Sequence, residues 1–135
     1  IKPIVETVTT IVKNQYKDKN FEIKIDRNVP PILVDKDKFQ QIMTNLIENA
    51  SKYGDDGSTI IIRATYNAEN VLIKVVNRGI PIPEEYYEKI FTKFSRIDNP
   101  LTRKVQGSGL GLYITKNLVE KMGGNIYVYT SAFYP

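Results

Sequence analysis

The stretch DKDKFQQIMTNLIENASKYG, residues 35–54, decides how this chain folds. Phe39, Ile42, Met43, Leu46, Ile47 and Ala50 recur at alternating steps of three and one, the period of a helix with one apolar face. Asp35 stands where a helix N-cap is expected, and Gly54 is the stop. A helix with so continuous an apolar face has to cover something, and the flanking sequence supplies strands.

Upstream, Ile4, Val5, Val8, Ile11, Val12 and Tyr16 mark an amphipathic helix over residues 3–17. Phe21, Ile23 and Ile25 then alternate with Glu22, Lys24 and Asp26, the period of a half-buried strand, before turn residues 28–31. Downstream, residues 59–66 and 71–76 are β-rich and separated by Asn67, Ala68, Glu69 and Asn70, which predicts an antiparallel hairpin in one sheet. A short helix is expected over 84–91, a loop without periodicity over 92–108, and a third long helix from Leu110 to Met122 that Gly123 and Gly124 end. Residues 125–130 read as a final strand.

At 135 residues with 41% hydrophobic and 25% charged side chains, the chain fits one globular domain, 1–135, with one core. The formal charge of +4 favours acidic partners without choosing among them. No apolar run is long enough to span a bilayer and no leader is visible, so a soluble domain is expected. The chain has neither cysteine nor histidine. That excludes disulfides, thiolate or imidazole metal sites, serine-histidine triads and any phosphohistidine within these residues.

Three polar groupings can carry chemistry. Asn45, Asn49 and Lys52, four and three residues apart, share one stripe of the second helix. Amide oxygens ligate hard cations and an ammonium neutralises phosphate, although a solvated face has the same spacing. Gly107-Ser108-Gly109-Leu110-Gly111-Leu112 opens directly into a helix, whose exposed amides suit a di- or triphosphate; a hinge has the same composition. It is neither a Rossmann turn, lacking the strand and the spacing, nor a Walker A loop, lacking the Lys-Ser or Lys-Thr pair. Asn77, at a strand end two residues before Gly79, is placed to read a base edge or to make a plain turn. Arg96, Arg103, Lys104 and Gln106 lie in the basic loop before the glycines.

Taken in order, these segments resemble the catalytic domain of histidine kinases, within the ATPase superfamily that includes gyrase, Hsp90 and MutL. Residues 45–53, NLIENASKY, look like the N box; residues 107–112, GSGLGL, look like the G2 box; Phe91, Phe94 and Arg96 are similar to the F box; and residues 77–83 occupy the place of the G1 box. The resemblance covers nearly the whole chain. It implies an α+β fold: a two-layer sandwich whose mixed, mostly antiparallel sheet is covered on one face by about three helices.

It also implies ATP and Mg²⁺ as ligands. Asn49 would hold the metal, Asn45 would support the metal and phosphate side, Lys52 would contact phosphate, and Tyr53 would lie beside adenine. Asn77, Gly79, Ile82 and Phe91 would complete the base side. Arg96, Arg103 and Gln106 would act from an ATP lid over 92–108, and Gly107, Ser108, Gly109, Leu110, Gly111 and Leu112 would cradle the phosphates. Glu48 is similar to the acidic residue that assists proton removal from the accepting imidazole, with Asn45 the second catalytic residue.

The implied function is transfer of the γ-phosphate to a histidine on a separate dimerisation and phosphoacceptor domain of the same parent protein. A response regulator receiver domain would follow downstream. The expected setting is cytoplasmic, free or as the cytoplasmic part of a membrane-bound sensor, with no nucleic acid partner and a monomeric isolated domain. The chain departs from the family in two places. Asn77 stands for the aspartate that accepts the adenine amino hydrogen bond, with Pro81 for the next glycine, and residues 131–135 are shorter than the usual closing hairpin. The alternatives are a serine-directed kinase of the anti-sigma-factor type and a degenerate, non-catalytic docking module. A gyrase-type ATPase is disfavoured, because the first N-box position holds Asn45 where water activation needs a glutamate.

Overall fold

In the computed structural model the structure describes residues 1–93 and 110–131, which fall into two compact units, Ile1–Gly79 and Ile80–Pro135. In the first, α1 spans Lys2–Gln15, β1 Asn20–Ile25, α2 Lys36–Tyr53, β2 Thr59–Tyr66 and β3 Val71–Val76. Pro3 starts α1, where its missing N–H costs nothing. The helix buries Val5, Val8 and Val12 together with Thr9, whose hydroxyl donates to the Val5 carbonyl and so enters the interior satisfied. Ile11, expected in that stripe, is 48% exposed instead. The helix also ends two residues earlier than expected, because residues 16–19 turn back, with Lys19 N donating to the Tyr16 carbonyl.

Asp35 caps α2 as expected, its carboxylate accepting from Lys38 N at 3.0 Å. Phe39, Ile42, Met43, Ile47, Ala50 and Ser51 form the buried face. The sheet has the order β1-β2-β3, with β1 parallel and β3 antiparallel to β2. The register places Phe21, Ile23 and Ile25 beside Ile60, Ile62 and Ala64, so these side chains share one sheet face. Val5, Val8, Val12, Phe39, Met43, Ile47, Ala50, Ile60 and Ile62 make one core between that face and the two helices. The β2–β3 turn is closed by Asn67, whose side chain accepts from both Glu69 N and Asn70 N at 2.8 Å.

The second unit holds α3, Gly111–Lys121, and two 3-10 turns, Glu84–Tyr86 and Lys89–Phe91. The turns replace the single helix expected over 84–91. Eight residues whose aliphatic and phenylalanine side chains sit only at the end cannot sustain an α-helix by propensity. At the end of α3, Gly123 takes φ +80°, and Gly124 N donates to the Val119 carbonyl at 3.0 Å. This is the left-handed cap that glycine adopts without steric cost.

Residues 125–130, expected as a strand, form no ladder among the described residues. Their alternation survives, with Ile126 and Val128 half-buried and Tyr127 and Tyr129 exposed and stacked at 6.3 Å. At Thr130, however, the hydrogen bonds go to the Tyr87 hydroxyl and to the Ile82 backbone.

Candidate functional site

Asn45, Asn49, Lys52 and Tyr53 are all half-buried on α2. At about 100° per residue, the first three lie within one narrow sector at the border of the buried face. Asn45 also lines a shallow depression with the adjacent Thr44 and with Gln41, Gln40 and Asp37, one to two turns back along the same helix. Among the described residues, the side chains of Asn49 and Lys52 have no hydrogen-bond or ion-pair partner. Among the described residues no buried side-chain nitrogen or oxygen lacks a partner, so the Asn49 amide and the Lys52 ammonium are open to solvent.

Glu48 sits on the same turn, close enough to Tyr16 at the end of α1 for its charge to be felt there. Burial, and next the nearby Glu48 carboxylate, push the Tyr16 hydroxyl above its ordinary value, while Lys19 pulls partly back. The N-box carboxylate and the end of α1 therefore share one electrostatic environment.

At its C-terminus α2 is joined to the end of β3. Gly54 and Gly79 form an isolated antiparallel bridge, and Asp55 N donates to the Arg78 carbonyl at 2.7 Å. The approach is so close that a Cβ on Gly79 would stand 2.5 Å from the Tyr53 carbonyl oxygen. Gly54 is fixed in the same way: its backbone is extended, with φ −73°, and a Cβ would meet the Ala50 carbonyl oxygen at 2.8 Å. The end of the Asn45–Lys52 stripe and the Asn77–Gly79 segment thus form one continuous piece of surface. Asn77 is exposed on it, with its side-chain nitrogen 3.2 Å from the same virtual Cβ of Gly79.

In the second unit, Ile82 is half-buried and bonded through its backbone to Thr130. Phe91 is only 7% exposed, with the Lys116 ammonium 5.6 Å from its ring centroid. Its position beside α3 suits packing rather than direct contact with a ligand. Leu110 is the N-cap of α3 and provides no side-chain cap; Leu112 is half-buried, and among the described residues a Cβ on Gly111 would meet nothing within 4 Å. Arg96, Arg103, Gln106, Gly107, Ser108 and Gly109, with Phe94 and Lys104, lie outside the described residues.

The donor set decides which metal fits. Among the described residues no three His, Cys, Asp or Glu side chains gather into a metal cage. Neutral amide oxygens at Asn45 and Asn49 cannot hold a bare dication tightly. They suit Mg²⁺, which keeps much of its shell and is completed by substrate phosphates.

The model of the family described as histidine kinase-, DNA gyrase B-, and HSP90-like ATPase matches residues 34–132. The chain belongs to that family. This ATPase domain is 36% identical over 130 residues to sensor histidine kinase WalK of Bacillus subtilis, covering 92% of the chain and 21% of WalK. To sensor protein SrrB of Staphylococcus aureus it is 38% identical over 94 residues, 70% of the chain and 16% of SrrB. The chain spans about a fifth of the length of these curated relatives. Among solved structures, the nucleotide-free catalytic domain of histidine kinase ThkA superposes with a TM-score of 0.82 at 26% identity, covering 97% of the chain and 84% of that domain. These likenesses bear out the α+β fold and the histidine kinase type of this ATPase domain.

Two features of the site were not foreseen in the sequence. Gly54 was read only as a helix stop and Gly79 only as room for a ligand, yet each is required by a backbone oxygen. Tyr16 was read only as part of an apolar stripe. Its nearness to Glu48 follows from how α1 lies on α2, which no spacing within either helix encodes.

Proposed function

We propose that the chain is the ATP-binding catalytic module of a sensor histidine kinase, transferring the γ-phosphate of Mg-ATP to a histidine on a separate dimerisation and phosphoacceptor domain of its parent protein. The observation that carries this reading is the pair of half-buried side chains Asn49 and Lys52, without partners among the described residues, respectively one turn and one residue before Tyr53, on which Gly79 closes. The family match at residues 34–132 runs across both compact units, which supports treating the whole chain as one module.

Asn49 and Asn45 hold the metal-phosphate side through their amide oxygens, and Lys52 neutralises phosphate as a point charge. Tyr53, Asn77 and Gly79 form the base side within the first unit, and Ile82 and Phe91 are the nucleotide-binding positions of the second. Arg96, Arg103 and Gln106 act from the lid, and the amides of residues 107–112 cradle the phosphates. Mg²⁺ supplies charge neutralisation at the transferring group when bound.

The chain contains no histidine, so the nucleophile is an imidazole brought by another domain. It attacks the γ-phosphorus in line as the bond to the β–γ bridging oxygen breaks and ADP leaves. Catalysis is then chiefly positioning and electrostatic stabilisation, with Glu48 taking the imidazole proton. A receiver domain of a response regulator accepts the phosphoryl group next. Among the described residues no helix is long and apolar enough to cross a membrane, in keeping with a module that works on the cytoplasmic side of its parent.

The test is phosphotransfer from γ-labelled ATP to a histidine-bearing phosphoacceptor domain. Label on that domain that is lost in acid and kept in base identifies phosphohistidine. Acid-stable label marks a serine-directed kinase, and no label with nucleotide bound leaves a docking module.

A further inference from the structure

A carboxylate in contact with the 6-position of a purine can only accept a hydrogen bond. It suits the amino group of adenine and opposes the oxygen of a 6-oxo purine. A carboxamide carries an acceptor and a donor on one flat group, and half a turn about its last torsion exchanges them. The residue at position 77 is an asparagine.

Its surroundings leave that turn open. Asn77 is exposed, and among the described residues no other group makes a hydrogen bond to its side chain. No neighbour therefore fixes which end of the amide faces outward. The nearest constraint is Gly79, where the amide nitrogen lies 3.2 Å from a Cβ that glycine lacks. Any larger residue at 79 would crowd the amide and bias its rotation. Gly79 is held as glycine by the Tyr53 carbonyl oxygen, 2.5 Å from the same virtual atom. The close approach that joins β3 to α2 thus also keeps the Asn77 amide free to turn.

We infer that Asn77 makes this a purine site of relaxed 6-position specificity, one that takes a 6-oxo purine nucleoside triphosphate such as inosine triphosphate alongside ATP. The inference rests on the proposed nucleotide site, in which position 77 reads the base. With adenine the amide oxygen accepts from the 6-amino group. With hypoxanthine the amide turns and its nitrogen donates to the 6-oxygen. At the 6-position neither base leaves a polar group facing its own kind, which is how a site ordinarily rejects an analogue.

The experiment measures dissociation constants of Mg-ATP, Mg-ITP and Mg-UTP by calorimetry, for the unaltered chain and for Asn77→Asp. Hypoxanthine has the outline of adenine without guanine's added 2-amino group; its 6-amino group is replaced by oxygen, and N1 carries a proton. The unaltered chain is expected to bind ATP and ITP within about tenfold of each other, the worth of less than one good hydrogen bond. In Asn77→Asp the preference for ATP over ITP widens by about tenfold or more, because the carboxylate then faces the 6-oxygen. An unaltered chain that prefers ATP over ITP by about a hundredfold or more overturns the inference and leaves the nucleotide site standing. So does a ratio that Asn77→Asp does not change. UTP bound as tightly as ATP overturns it by showing that the base is not read. Absence of binding by all three nucleotides removes the proposed site itself and the inference with it.

Discussion

Gly79 lies against Tyr53 so closely that a single added methyl group would be 2.5 Å from the Tyr53 carbonyl oxygen, and the adjacent Asp55 N–H to Arg78 carbonyl bond, at 2.7 Å, holds the two segments together. Backbone oxygen cannot swing aside as a side chain does, so Gly79→Ala has to separate β3 from the end of α2. Overpacking of this kind costs on the order of 1 to 3 kcal/mol. Gly79→Ala should lower the urea midpoint accordingly. The drop should exceed that of Gly111→Ala, since among the described residues a Cβ on Gly111 meets nothing within 4 Å. Equal stability of Gly79→Ala and the unaltered chain would show that the approach is looser than the structure has it.

Asn49 and Lys52 contribute little to the folded state on their own, having no partner among the described residues. Their substitution should therefore separate binding from stability. With Mg-ATP at about a hundred times its dissociation constant, the unaltered domain should gain about 2.7 kcal/mol in apparent stability, seen as a rise in melting temperature of several degrees. Asn49→Ala should melt close to the unaltered domain without nucleotide and lose most of that rise. If Asn49→Ala keeps the full rise, the metal-phosphate assignment is wrong.

The helices were legible because their apolar residues repeat at helical spacing over several turns, and α2 was nearly complete in the sequence, from the Asp35 cap to Gly54. The β2–β3 hairpin was equally plain from its two β-rich stretches and the short polar loop of residues 67–70. Residues 125–130 keep the alternation of a strand but form no ladder among the described residues, since alternation marks which side chains are buried and not where the backbone pairs; Thr130 bonds to Tyr87 and Ile82. In the site, the stripe of Asn45, Asn49 and Lys52 is a property of one helix and was readable. The Gly54–Gly79 bridge joins residues 25 apart in sequence, and only the packing of the segment after β3 against α2 creates the demand for Gly79, whereas Gly54 is pressed by the Ala50 carbonyl of its own helix.

Asp18 gives the domain an acid-sensitive fastening. Its carboxylate accepts from the buried Lys19 ammonium at 2.7 Å and from Gly57 N at 3.1 Å, tying the α1–β1 turn to the loop after α2. The Lys19 bond first, and the Gly57 bond next, hold Asp18 below the usual carboxylate range. A carboxylate lowered in the folded state contributes stability above its unfolded pKa, and that contribution is lost as pH falls through the lowered folded value. Melting temperature should therefore drop on acidification below about pH 4, and Asp18→Asn should flatten that part of the profile while melting lower at neutral pH. Identical acid profiles for the two proteins would remove Asp18 from the account.

Glu48 has two neighbourhoods, the α2 stripe and the Tyr16 end of α1, and one substitution reads both. Burial and the Glu48 charge raise Tyr16, so the folded state holds the phenolic proton more tightly. The stability this provides is present below the ordinary tyrosine pKa and is lost as pH rises through the raised folded value. Glu48→Gln should lower the Tyr16 titration midpoint, followed by the ring-carbon resonance of Tyr16, while leaving it above the ordinary value because burial remains. The same variant should slow phosphotransfer by about a hundredfold or more if Glu48 takes the imidazole proton, with the Mg-ATP dissociation constant unchanged. A lowered Tyr16 midpoint with undiminished phosphotransfer would confine Glu48 to the α1 contact and leave proton removal to solvent.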